Sequence, residues 1–154
     1  STLEAASATN SLRMTPPLQG TVLGNALQAL GVRDGDFLGF AAGDAVEFSF
    51  QLPQGGDVVG WVQAKPLLLV AQLFFIKDSR PGLPRMAFRT FIQGVKAISH
   101  TLGVREVELQ GGNVRHPGMR LALQKRGFRI KHVPTPPLMG GYPQEVFFRV
   151  DTIP

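Results

Sequence analysis

Cysteine is absent from the sequence, and tyrosine and tryptophan occur once each, as Tyr142 and Trp61. The first absence excludes a disulfide framework, a thiolate zinc site and a cysteine nucleophile. A long apolar run is missing as well: the longest, residues 67–76, is interrupted by Gln72 and is about half the length needed to span a bilayer. Residues 1–17, STLEAASATNSLRMTPP, have neither a basic start nor an apolar stretch, so no secretory leader is expected. These absences predict a soluble, cytoplasmic protein without membrane contact. The 154 residues suit one domain, enough to bury about 70% of the surface of the unfolded chain without staples.

What is present is uneven in charge. Residues 77–132 hold twelve Lys and Arg against three acids, a net +9, while residues 1–76 hold three bases against six acids. A basic half beside an acidic half predicts an anionic partner, either a phosphorylated cofactor or nucleic acid. The basic residues are not interleaved with stacking aromatics, which argues against a single-strand nucleic-acid platform.

Residues 1–20 are rich in Ser, Thr, Ala and Pro without periodicity, the composition of an N-terminal arm that could contact assembly partners; residues 21–154 are read as a single domain. Apolar residues at 22, 23, 26, 27 and 30 predict a short helix closed by Gly31. Strands are predicted over 37–42, 45–52, 58–63 and 67–76, an antiparallel meander whose last member is apolar on both faces, as a central strand must be. Residues 85–102 carry apolar positions at helical spacing, with Arg85, Arg89, Lys96 and His100 on the other face, and Gly103 ends them. A strand over 104–110, a helix over 117–126, a strand over 128–133, a Pro/Gly-rich loop over 135–144 and a strand over 145–151 that could return as a hairpin complete the chain. A strand, a crossover helix and a further strand joined by short loops make a right-handed parallel unit. The predicted class is α/β with a mixed sheet, antiparallel in its first half, parallel at its centre and flanked by helices.

This order of elements over residues 57–150, with the glycine of the loop before the long helix and the Lys125, Gly127 and Phe128 closing the second, resembles the GNAT superfamily of acyl-CoA-dependent N-acyltransferases. In that family the central strand runs into a Q/R-x-x-G-x-G/A loop that opens a helix, and the second helix often closes with A-x-x-L/F-Y-x-K-x-G-F. The resemblance implies that acetyl-CoA or another acyl-CoA lies where the two central strands splay. It would be held by Phe75 and Ile76 at the strand end and by Arg80, Gly82, Leu83 and Arg85 in the loop and the start of the helix. Backbone N–H groups and a helix N-terminus suit a pyrophosphate, and glycine allows the close approach. Ser79 stands at the Q/R position, and Pro84, at the last Gly/Ala, brings no N–H; one lost donor costs about 1 to 3 kcal/mol. Arg80, Arg85 and Arg89 could compensate by pairing with phosphate directly.

His116 replaces the family's usual Asn, and Leu123 stands where many members carry a tyrosine that protonates the leaving thiolate, which leucine cannot do. Glu106 and Glu108 share one strand face and are candidates for the base that deprotonates the acceptor amine, and Tyr142 is a candidate acid. No catalytic residue is assigned on this basis. His100 and His132 lack ligand-like spacing, so no metal site is expected. The function the resemblance implies is acyl transfer from acyl-CoA to an amine. The alternative is a GNAT-fold protein without turnover, serving as a structural or binding component such as a phage virion part.

Overall fold

The structure, a computed structural model, describes residues 19–53, 55–76, 83–111, 117–133 and 144–149. The first helix, α1 (Val22–Leu30), begins where the Thr21 hydroxyl accepts a hydrogen bond from the Gly24 N–H at 3.0 Å, satisfying one of the donors a helix start leaves open. It ends at Gly31, as its spacing predicts. Its buried face, Ala26, Leu27 and Leu30, joins the main core and packs toward α3.

The strand expected over 37–42 is instead a short helix, α2 (Phe37–Ala41), entered through a 3-10 turn at Asp34–Asp36. Phe37 and Phe40, one helical turn apart, are both buried in the core, which a strand would have sent to opposite faces. The opening meander therefore has three strands, β1 (Val46–Gln51), β2 (Asp57–Lys65) and β3 (Leu68–Ile76), paired antiparallel in sequence. The long helix α3 (Leu83–Leu102) crosses to β4 (Glu106–Gly111), which pairs parallel to β3. Helix α4 (Pro117–Lys125) leads to β5 (Arg129–Val133), and β6 (Gln144–Arg149) returns antiparallel to it as the expected hairpin. The returning strand also inserts between β4 and β5, so the sheet order is β1-β2-β3-β4-β6-β5.

All four helices send buried residues into one cluster with Val46 and Phe48 of β1, Val62 of β2, Leu69 and Ala71 of β3, and Val107 and Leu109 of β4. These strand residues alternate along their strands, so they mark one face of the sheet as the core face. Phe48 stacks on Phe91 of α3, with ring centroids 5.7 Å apart, and ties the antiparallel half of the sheet to the crossover helix. The other face carries the alternate set, with Glu47 and Ser49 on β1, Trp61 and Gln63 on β2, Gln72 on β3, and Glu106, Glu108 and Gln110 on β4.

The match at Gly127-Phe128 has a structural explanation. Gly127 has a φ of 89°, its N–H bonds to the Gln124 carbonyl, and the Phe128 N–H bonds to that of Leu123. This is a Schellman cap, and Leu123 and Phe128 form its usual apolar contact inside the core. The same pattern ends α3: the Val104 N–H reaches the Ser99 carbonyl past Gly103. Phe128 thus belongs to the cap of α4, and β5 begins one residue later than the alternation alone predicts.

Candidate active site

The parallel pair at the centre of the sheet comes apart at one end. Its register runs from Leu68–Glu106 to Gln72–Gln110, and β3 then continues four residues further, through Leu73–Ile76, without β4 beside it. Over the same stretch β3 stays paired with β2, but the register slips: Gly60 faces Leu73 while Val59 faces Phe75, so Phe74 is an extra residue on β3. Such a bulge bends the strand and increases its local twist, which steers the end of β3 off the line of β4. Gly60 permits the crowding. A Cβ built there would lie 2.1 Å from the Gln72 carbonyl oxygen and 2.4 Å from the Phe48 ring. The result is a fork whose β3 arm presents backbone groups that, among the described residues, no neighbouring strand takes up on the β4 side.

Of the residues expected to hold an acyl-CoA, Phe75 and Ile76 are the last two of β3, on that free arm beyond the bulge. Leu83 is the first residue of α3, and Arg85 is exposed in its first turn. Pro84 also lies in that turn. Arg80 and Gly82, with Ser79, lie outside the described residues, as do His116 and Tyr142. Along α3, Arg85, Arg89 and His100 are exposed and Lys96 is half-buried, so the basic face predicted from spacing is turned away from the core. Leu123 points into the core at 2% exposure, which places the position of the family's tyrosine among apolar side chains in this chain.

The register separates the two candidate carboxylates. Glu106 pairs with Leu68 at the closed end of the parallel ladder, whereas Glu108 lies opposite Val70, two residues from the fork. Glu108 is half-buried, and its carboxylate accepts a hydrogen bond from Gln110 Nε2 at 2.8 Å. Opposite Gln110 stands Gln72, whose Oε1 accepts the indole N–H of Trp61 at 2.8 Å. Trp61, Gln72, Gln110 and Glu108 therefore form a row across three strands on the face opposite the core cluster, with Gln72 and Gln110 at the last rung before the fork. Trp61, Gln72 and Gln110 belong to no motif that marks them in the sequence. The available signal was Gln72 itself, a lone amide within the apolar run 67–76, since a buried strand places a polar side chain only where it has a partner. Among the described residues no group of His, Asp and Glu could hold a metal ion, and no helix is long and apolar enough to cross a membrane.

No family model matches the chain, and no curated protein resembles its sequence closely enough to count as a match. Solved structures do resemble its fold. A chimera of the Vibrio cholerae spermidine N-acetyltransferase SpeG with hSSAT superposes with a TM-score of 0.50 at 13% identity, covering 69% of this chain and 66% of the chimera. A Bacillus subtilis acetyltransferase in complex with CoA gives 0.48 at 14% identity, over 77% of this chain and 83% of that one. A GNAT family acetyltransferase from Elizabethkingia anophelis with acetyl-CoA bound gives 0.45 at 11% identity, over the same 77% and 83%. Identities this low speak to architecture, and the mixed sheet with its central fork and crossover helix is the architecture in question: the chain is a GNAT-fold domain.

Proposed function

We propose that the chain is an N-acyltransferase that takes its acyl group from acyl-CoA. The observation that carries this is the fork: two parallel central strands whose ladder ends at Gln72–Gln110, with a bulge at Phe74 on the strand that continues and α3 as the next described element of the chain. A strand arm whose backbone groups no described strand pairs on one side suits a ligand that is itself amide-bearing, such as a pantetheine chain, and Phe75 and Ile76 would carry it. Arg85 and Leu83, with Arg80 and Gly82 of the preceding loop, would take the phosphates. Phe75, Ile76, Arg80, Gly82, Leu83 and Arg85 thus remain the proposed cofactor-binding set.

Acyl-CoA supplies a thioester, which an amine opens by forming an N–C bond as the C–S bond breaks. The donor enters along the α3 side of the fork, so the amine reaches the carbonyl from the other face, where Glu108 stands. Gln110 donates to Oε2 of Glu108, and a lone pair that no described residue occupies would take a proton from the acceptor ammonium, directly or through water. The departing sulfur takes the second proton. Catalysis on this plan is mainly positioning and polarisation by fixed donors.

The test is calorimetry with acetyl-CoA, followed by an assay for released thiol with a panel of amines. Acetyl-CoA should bind and raise the melting temperature, as any ligand of the native state must. Glu108→Gln should lower kcat by about 10²-fold while leaving acetyl-CoA affinity unchanged. Absence of binding at millimolar acetyl-CoA refutes the reading; binding with no acceptor acylated supports a CoA-binding protein without turnover.

A further inference from the structure

The two glutamines at the fork are held in defined orientations by their outer partners. An indole N–H can only donate, so the atom of Gln72 on Trp61 must be the amide oxygen, and its NH₂ is the arm left over. A carboxylate can only accept, so the atom of Gln110 on Glu108 must be the NH₂, and its carbonyl oxygen is left over. Gln72 and Gln110 are register partners on the same face of adjacent strands at the last paired position of the ladder. Neither Gln72 Nε2 nor Gln110 Oε1 has a partner among the described residues. The fork therefore offers one donor and one acceptor side by side, with the Glu108 carboxylate next to the acceptor.

We infer that this pair is the acceptor subsite and that it selects a primary amine carrying a carbonyl on the adjacent carbon, the α-amino amide of a peptide amino terminus. The inference rests on the acyltransferase reading above. Such a group presents an N–H to Gln110 Oε1 and a carbonyl oxygen to Gln72 Nε2 at once, and its ammonium lies beside Glu108. A free amino acid would bring a carboxylate into the neighbourhood of Glu108, at the cost of like-charge repulsion. A polyamine or a lysine side chain has the ammonium but nothing for Gln72 to donate to, which leaves a half-satisfied polar site. Trp61 is a positioning residue in this scheme, because it acts only through the Gln72 amide.

The experiment uses the full chain with saturating acetyl-CoA and four acceptors: alanyl-glycine amide, free alanine, Nα-acetyl-lysine amide and spermidine. The dipeptide amide should show a kcat/KM at least 10-fold above the others. Trp61→Phe, which removes the indole N–H but keeps an aromatic ring, should raise KM for the dipeptide amide several-fold. It should leave kcat nearly unchanged and should not alter kcat/KM for Nα-acetyl-lysine amide. Gln72→Leu should remove the preference for the dipeptide amide altogether. Equal turnover of the four acceptors, preference for spermidine, or a Trp61→Phe variant that loses all acceptors equally would overturn the inference while leaving the acyltransferase reading intact. Failure of the wild type to bind acetyl-CoA by calorimetry would remove both.

Discussion

Phe48 joins three parts of the molecule that are distant in sequence. Its ring is fully buried, stacks on Phe91 of α3 and on Phe50 of β1, and closes over Gly60 at the bulge. Phe48→Ala removes these contacts from a packed interior and should cost about 3 to 5 kcal/mol, read as a lower urea midpoint with an unchanged m-value. The alternation of Val46, Phe48 and Phe50 with Glu47, Ser49 and Gln51 made the inward direction of this ring legible from sequence. Leu123 shows the opposite case. Its place in a motif marked a missing acid, whereas its side chain serves the α4 cap and the core. A motif match states which residue type occupies a position but carries no information about what surrounds it.

At the scale of elements, the bulge on β3 lies where β3 runs on beyond its ladder with β4. Gly60→Ala would drive a methyl group into the Gln72 carbonyl and the Phe48 ring, so the β2–β3 pair must shift or the bulge must relax. The expected stability loss is about 1 to 3 kcal/mol, from thermal or urea unfolding. Acetyl-CoA affinity should fall along with it, because the fork geometry depends on the same contact. A loss of stability with unchanged affinity would show that β3 and β4 part for another reason. The helices were legible because their limits are local: Thr21 caps α1, glycine follows α1, α3 and α4, and the apolar spacing of α3 matches its buried face. The segment 37–42 was misread because FLGFAA is short and apolar, and periodicity cannot separate a strand from one helical turn at that length.

For the molecule as a whole, the charge asymmetry is the property to test. The net +9 of residues 77–132 includes Arg85, Arg89 and Lys96 on α3, the next described element after β3 in the chain. If this face attracts the phosphates of an acyl-CoA, the Kd for CoA should rise about 3- to 10-fold between 50 and 500 mM NaCl, because exposed charges are screened over that range. Calorimetry at the two salt concentrations checks this; a salt-independent Kd would place the phosphates away from α3.

By itself the sequence determined what depends on neighbouring residues: which of the longer stretches are strands or helices, where glycine stops them, and which half of the chain is basic. It also carried the order of elements from which the GNAT architecture was expected. Only the tertiary structure decided that β6 inserts between β4 and β5, that β3 bulges at Phe74, and that Glu108 rather than Glu106 stands near the fork. The row of Trp61, Gln72, Gln110 and Glu108 has the same origin. Strand register and pairing partners are set by contacts across the sheet, between residues far apart in the chain, and no local pattern encodes them.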